Sequence, residues 1–492
     1  MPIDTQHSEY KKHLSDWEMV KDCCEGQSSV KNKKDKYLRP MSQVSTSDPR
    51  YLSYIARANF VNFTGRTKEG LTGAVFREDP EIELPTECEY LLENADGAGE
   101  TLISLAKDVT GEVVGRGRHV LLVDYPPLEA NLTAEQIQNL SPQATINRYN
   151  CESLINWRVD KVNGQKILGL AVLKETYNAS SDEFEFDAET QYRVLRLTNG
   201  VYSQQVYRDN KPFEQEIIPL KADGTPFSIM PMFIIGAENN DSEVDTPPLA
   251  DIAHLNIGHY RNSADLEENC FVHGQLTLGV SSSMSHDQFE AANPNGIVVG
   301  AMAGHFLGEG GSFSVVQAEK NQLADHLMER KESQMRKLGA RMISEGGSVK
   351  TATQSLIEQA GETSILTTIA DNVSEGIQQC INWCGEFMGA ASDALFKLNT
   401  EFFDDTNDPQ MLMAAMQLNE GGVIAKSDMQ NLARDQGVIK DGRTNEDIDA
   451  ELIVELKERL KRRAIIAGRN VADEDEGEES EENLEESLTT ED

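Results

Sequence analysis

Two long helices separated by a stretch with no helical period constrain this chain more than any other feature. Thr246 can cap the first and Pro247 suits its opening turn. It extends to about His273, roughly 39 Å at about 1.5 Å per residue. Leu249, Ile252, Ala253, Asn256 and Tyr260 share one side, and Gly258 allows a close approach or a bend. The second runs from Ala318 to Met342, roughly 36 Å by the same rise, with Leu323, Leu327, Met335 and Leu338 as its apolar side. Between them, Gly and Ser dominate around Ser281–Ser283 and Gly308–Gly311, and Leu276–Val280, Gly296–Val299 and Phe313–Val316 read as short strands. Two rods bracketing a small insert suit a ring subunit that lines a channel better than an enzyme built around a pocket.

The flanking segments predict an α+β fold. A helix begins after Asp48-Pro49, where Leu52, Ile55, Ala56, Phe60 and Phe63 recur at helical spacing until Gly65, Gly70 and Gly73 interrupt them. A further helix is expected over 87–114. Residues 118–235 read as an antiparallel meander, with turns at Asn163-Gly164 and Asn199-Gly200 and a buried strand within Phe227–Ala237. After a flexible Ser344–Ser348 loop, helix is expected from Thr351 to about Leu398 with a bend at Gly361, then a helical module over 408–463.

The chemistry of common enzymes is missing from the pattern. Gly115-Arg116-Gly117-Arg118-His119-Val120 resembles part of a dinucleotide fingerprint, but it precedes a strand instead of following one. Gly346-Gly347-Ser348-Val349-Lys350-Thr351 has Val349 where a phosphate loop needs glycine. His254 and His259 are five apart and fall on different helix faces, whereas zinc ligands on one helix sit four apart. Cys380 and Cys384 have that spacing but no second ligand pair, so they read as core beside Trp383 and Phe387. No cofactor or metal is expected. The seven cysteines do not form a disulfide framework, the first ten residues do not resemble a signal peptide, and no apolar run approaches membrane length. A soluble protein of a reducing compartment is expected.

With 83 acids against 45 bases the formal charge is −38, which disfavours nonspecific nucleic-acid binding. Residues 473–492 hold twelve of those acids and no base, and read as a disordered tail. Two segments depart from this balance. Lys31, Lys33, Lys34, Lys36 and Arg39 form a basic cluster within an N-terminal arm. It is read as solvated, with a short helix over Glu9–Cys23, or else as a contact with a neighbouring subunit or nucleic acid. Lys320–Arg341 carries six bases against three acids. It is either a solvated face laced by pairs such as Glu332 with Arg336 or, repeated around a ring, a set of cationic belts. Sparse belts would guide phosphates without the tight, counterion-driven grip that many contacts produce.

Four stretches resemble the portal (head-to-tail connector) proteins of tailed phages, in the branch catalogued as a domain of unknown function. They are Tyr54–Phe60 through Val75-Phe76, Pro247–Asp265, Lys337–Arg341, and Thr351–Thr353 through Ile369–Val373. The resemblance covers roughly residues 45–455. It implies an arm (1–49), an α/β wing (50–245), a first stem helix (246–274), a clip (275–317), a second stem helix (318–342), a tunnel loop (343–351), a return to the wing (352–404), a crown (405–465) and an acidic tail (466–492). It also implies a homododecameric ring at one capsid vertex, through which double-stranded DNA passes nonspecifically. The partners so implied are the terminase large subunit, the major capsid protein and head–tail adaptor or tail proteins, in the virion and, during assembly, the host cytoplasm. No catalysis and no membrane are implied. The channel candidates are Lys320, Arg330, Lys331, Lys337, Arg341 and Lys350; the tunnel loop is Ser344, Glu345, Gly346, Gly347 and Ser348; the docking candidates are His286, Asp287, Gln288 and Glu290. The rival readings are an oligomeric phage head or baseplate protein without a DNA channel, and a metal-dependent hydrolase or nuclease.

Overall fold

The computed structural model describes residues 2–40, 44–126, 142–162, 164–274, 277–294, 296–297, 304–316, 323–342, 364–390 and 393–402, and further on 416, 425–435, 439, 443–445, 447–454 and 457. The chain divides into one unit ending at Phe402 and a second beginning at Phe403.

The N-terminal segment is not a solvated arm. Helix α1 (Ser8–Glu25) buries Tyr10, Trp17, Val20 and Cys23, a stripe at helical spacing that its charged neighbours conceal in any average over composition. After α2 (Gln27–Asn32), Asp48 caps α3 (Pro49–Arg57) by accepting the Arg50 N–H at 2.8 Å. The single helix expected here is two. The chain leaves α3 at Ala58, and its polar backbone groups find side-chain partners elsewhere: Asn59 N–H on Ser263 Oγ (3.1 Å), Phe60 N–H on Gln27 Oε1 (3.1 Å), and Val61 O on Asn256 Nδ2 (2.8 Å). Asn62 then caps α4 (Phe63–Val75), which runs through the three glycines.

Strand β1 (Glu81–Glu83) precedes a 3-10 turn over Thr86–Leu92. The helix expected from residue 87 begins only at Thr101, the cap of α5 (Leu102–Arg116), because Gly97 and Gly99 take positive φ in between. Gly117 ends α5 in the left-handed conformation and feeds β2 (Arg118–Asp124). The Gly-Arg-Gly-Arg stretch is therefore a helix stop.

The sheet region is two sheets where one meander was expected. Strand β3 (Thr145–Asn150) pairs antiparallel with one edge of β2. A meander follows through β4 (Leu154–Val162), β5 (Gln165–Asn178), β6 (Ala188–Thr198), β7 (Val201–Arg208) and the short β8 (Lys211–Pro212), in that spatial order. Asn199 and Gly200 both have positive φ, as the tight hairpin between β6 and β7 requires. Strand β9 (Met232–Gly236) returns to the other edge of β2, making the order β3-β2-β9.

Next come α6 (Ala250–Gly274), β10 (Thr277–Ser281), α7 (His286–Ala292), β11 (Ser312–Val316) and α8 (Leu323–Arg341). Helix α9 (Ile365–Met388) lies against the β3-β2-β9 sheet. Its Gly376 is where a Cβ would come within 2.7 Å of Ile235, so helix and strand approach at a residue without a side chain. Cys380, Cys384, Trp383 and Phe387 are buried there as core. The helix stops at Gly389 (φ 79°) short of the expected Leu398, and β12 (Leu395–Lys397) pairs antiparallel with β1. The expected bend at Gly361 lies outside the described residues.

In the second unit α10 (Lys426–Asp435) is helical, as are residues 447–454. Lys426 and Gln430 both reach Asp449, each at 2.8 Å. The acidic tail lies outside the described residues.

Candidate functional site

The two long helices pack directly against each other. Lys331 Nζ donates to the Gly258 carbonyl oxygen at 2.7 Å, and a Cβ on Gly258 would lie 3.2 Å from that nitrogen. One residue along, His259 Nε2 lies 3.3 Å from Glu332 Oε1, while Arg336 holds the other carboxylate oxygen at 3.0 Å. His259 is buried, with Phe63 edge-on to its ring at 5.8 Å. Burial lowers its pKa against the opposing pull of Glu332, so the neutral imidazole is the form favoured at the contact. Met335 on α8 and Met342 just after it are buried, and Leu338 is half-buried. His254, five residues from His259, is exposed on another face, as its spacing predicted.

Helix α6 also meets the segment 54–64. Tyr54 donates to Asp265 Oδ1 (2.6 Å), Arg57 pairs with Glu268, Asn59 Nδ2 donates to Glu267 (3.0 Å), and the rings of Phe60 and Tyr260 meet edge to face at 6.0 Å. The Asn256 Oδ1 accepts from both the N–H and the hydroxyl of Thr64, at 3.2 and 3.0 Å. Arg261 Nε donates to the Tyr37 carbonyl at 2.7 Å. Two of the four stretches carrying the resemblance are thus in contact with each other.

Of the channel candidates, Lys331 has its ammonium committed to the helix contact, where burial lowers its pKa. Arg330, Lys337 and Arg341 are exposed and make no ion pair among the described residues. At about 100° per residue the three fall within about 40° of one another around α8, and the acids Asp325, Glu329 and Glu332 lie on other faces. The spacing of seven and then four residues was legible in the sequence, but the six candidates were not sorted by face. Lys320, Lys350 and the loop residues Ser344, Glu345, Gly346, Gly347 and Ser348 lie outside the described residues.

Between the helices, β10 and β11 pair antiparallel from Thr277↔Val316 to Ser281↔Ser312. Ser285 caps α7 through a capping box: the Ser285 N–H donates to Gln288 Oε1 at 3.2 Å, and the Gln288 N–H donates to Ser285 Oγ. All four docking candidates are exposed; Gln288 is engaged in shaping the turn, and His286 Nδ1 lies 3.9 Å from Glu290. Ser282 and Ser283 donate to the carbonyls of Leu307 and Glu309, both at 2.8 Å, and Asn293 Nδ2 donates to the Phe306 carbonyl at 3.0 Å. These contacts tie the strand pair and helix into one small module.

Elsewhere a cavity of about 780 Å³ is lined in part by Lys68, Gly111, Glu112, His119 and Arg148. Burial alone would raise the Glu112 carboxyl, but Arg116 and Lys68 more than offset it and hold it at about 2. The fully buried His119 is pushed down to about 3 by desolvation. Among the described residues no group of three or more His, Cys, Asp or Glu could hold a metal ion, and no described helix is long and apolar enough to cross a membrane.

Residues 248–388, from just before α6 to the end of α9, match a family described as a domain of unknown function (DUF4055). No curated protein matches the chain. Among solved structures, the chain is similar to one in the neck of the native GTA particle computed with C12 symmetry: 13% identity, TM-score 0.40, covering 78% of this chain and 93% of that one. It is also similar to a chain in the neck of the empty GTA particle computed with C6 symmetry: 14% identity, TM-score 0.39, covering 76% and 90%.

Proposed function

We propose that this chain is a phage-type portal subunit: one of a ring, reckoned as twelve, whose paired helices α6 and α8 stand around a channel for double-stranded DNA. The single observation that carries this reading is the stripe Arg330, Lys337 and Arg341, exposed on the second of two interlocked helices in a chain of charge −38. Three cations per subunit, repeated around an axis, make rings of positive potential. In a wall that is otherwise acidic such rings attract phosphate weakly and without regard to sequence, which a sliding duplex needs. Lys331 is left out of the stripe because its ammonium is held inside the subunit.

In this reading the β10–α7–β11 module is the docking end, with His286, Asp287 and Glu290 offered to the packaging motor and later to adaptor or tail proteins. The segments before α6 form the wing that meets the capsid protein, and the particle is a virion vertex assembled in the host cytoplasm. The work done is geometric and electrostatic, with no covalent step. Replacing Arg330, Lys337 and Arg341 together by Ala tests it. Rings should form as before while DNA packaging or retention drops at least tenfold; unchanged packaging by intact rings would remove the channel assignment.

A further inference from the structure

At one end of the five-stranded sheet, Phe184 and Phe186 stand in solvent, 88% and 73% exposed, on the loop joining β5 to β6. The loop is held in one shape. Asn178 Oδ1 accepts the N–H groups of Ser180 (3.1 Å) and Asp187 (2.9 Å), and its Nδ2 donates to the Glu185 carbonyl at 3.2 Å. Arg208 lies over the rings of Tyr177 and Phe213, 3.7 and 3.5 Å from their centroids, and extends the aromatic surface at the same end. Residues 179–191 carry Asp182, Glu183, Glu185, Asp187 and Glu189 and no base. An acidic tip with two bare rings repels phosphate, and it needs a cationic protein surface with an apolar seat.

The chain carries such a surface at the far end of α1. The segment leading into that helix is fixed to the same sheet: the Ile3 N–H donates to Asn210 Oδ1 at 3.1 Å at the tip's end, and His7 stacks on Trp157 at 4.1 Å further along the strands. The other end is fixed near α6, where Cys23 Sγ lies 3.9 Å from the Ala253 carbonyl. Just beyond it come Lys31, Lys33, Lys34, Lys36 and Arg39. Lys33 and Lys36 answer Asp22 and Glu18, and Lys31 donates to the Ala56 carbonyl. Lys34 and Arg39 are exposed and make no ion pair among the described residues. Tyr51 donates to the Leu38 carbonyl at 2.7 Å, which brings α3 and its exposed Leu52 beside the cluster. The two surfaces are separated by α1, about 27 Å long at about 1.5 Å per residue.

We infer that the Phe184/Phe186 loop of one copy docks on the Lys34/Arg39 surface of the next, a head-to-tail contact between unlike patches. Contacts of that kind close into a ring when the rotation from copy to copy divides a full turn, as the ring reading requires. The inference rests on the ring reading above and names an interface within it. The loop arrives pre-shaped, so little ordering opposes docking.

The test is native mass spectrometry and sedimentation of the full chain over a concentration series. F184S/F186S and, separately, D182K/E183K/E185K should each raise the concentration for half-assembly at least tenfold. Adding K34E/R39E to the charge-reversed loop should restore most of the loss. Hairpin variants that assemble like the parent would overturn the interface while leaving the ring intact, and would assign the tip to a different protein. Loss without rescue would overturn Lys34 and Arg39 as its seat. A parent chain that stays single at every concentration would overturn ring and interface together.

Discussion

Lys331 reaches across the helix pair to donate to the backbone carbonyl of Gly258 at 2.7 Å, and a side chain on residue 258 would crowd it. Glycine at this position opens a place for a cation, and the lysine stem covers the gap. With His259 meeting Glu332 one residue further on, α6 and α8 are fixed in register at two successive positions.

That register gives the first expectation. Lys331→Met keeps the stem and removes the donor, so the helix pair should lose about 1.5 kcal/mol, the low end for a bond from a charged donor that is only part-buried. Urea unfolding of the variant should show it as a lower midpoint at unchanged slope. An unchanged midpoint would mean the contact contributes nothing to holding the helices.

His119 sets a pH dependence. Its pKa in the folded chain is about 3, well under the ordinary value near 6.5. The unfolded chain therefore takes up the proton first, and stability falls as pH drops below about 6.5, by at most about 1.4 kcal/mol per unit from this one group. Glu112, held at about 2, sheds its contribution only below about pH 4.5. Between pH 7.5 and 5 the parent should lose stability, and His119→Gln should lose measurably less. Equal losses in both would show that this imidazole is not the source.

The inserted module should be separable. Its polar groups answer one another through the Ser285–Gln288 box, the Ser282–Leu307 and Ser283–Glu309 bonds and the five-residue strand pair. Replacing residues 277–316 by a short Gly/Ser linker should leave unfolding of the remainder within about 0.5 kcal/mol, as changes away from a core do. It should also abolish binding to the packaging motor and to adaptor proteins. Retained binding of both would sink the docking assignment.

Much of this architecture was legible beforehand. Periodicity located α6 and α8, and the side shared by Leu249, Ile252, Ala253, Asn256 and Tyr260 is wholly buried. Asn199-Gly200 and the cap at Asp48-Pro49 turned out as their chemistry requires. The failures have physical causes. The short helix expected over Glu9–Cys23 forms as α1, but its burial is not legible because charged residues surround a narrow buried stripe. The backbone between α3 and α4 is held by side chains from other elements, Gln27, Asn256 and Ser263, the last two more than 190 residues away, and no local pattern announces it. Gly389, in the left-handed conformation, is the stop signal that ends α9 before the expected Leu398. The sheet was divided wrongly because β9 pairs with a strand over a hundred residues earlier, a choice made by tertiary contact. At the candidate site the basic residues are legible by type, but only helix packing distinguishes the part-buried Lys331 contact from the exposed stripe of Arg330, Lys337 and Arg341.

The central claim is that many copies of this chain stand around an open axis. Electron images of the purified full chain, averaged without imposed symmetry, address it directly. End-on views should show a closed ring with a central opening wide enough for a B-form duplex, with α6 and α8 nearest the axis. Solid particles, or single chains at every concentration tried, would contradict it.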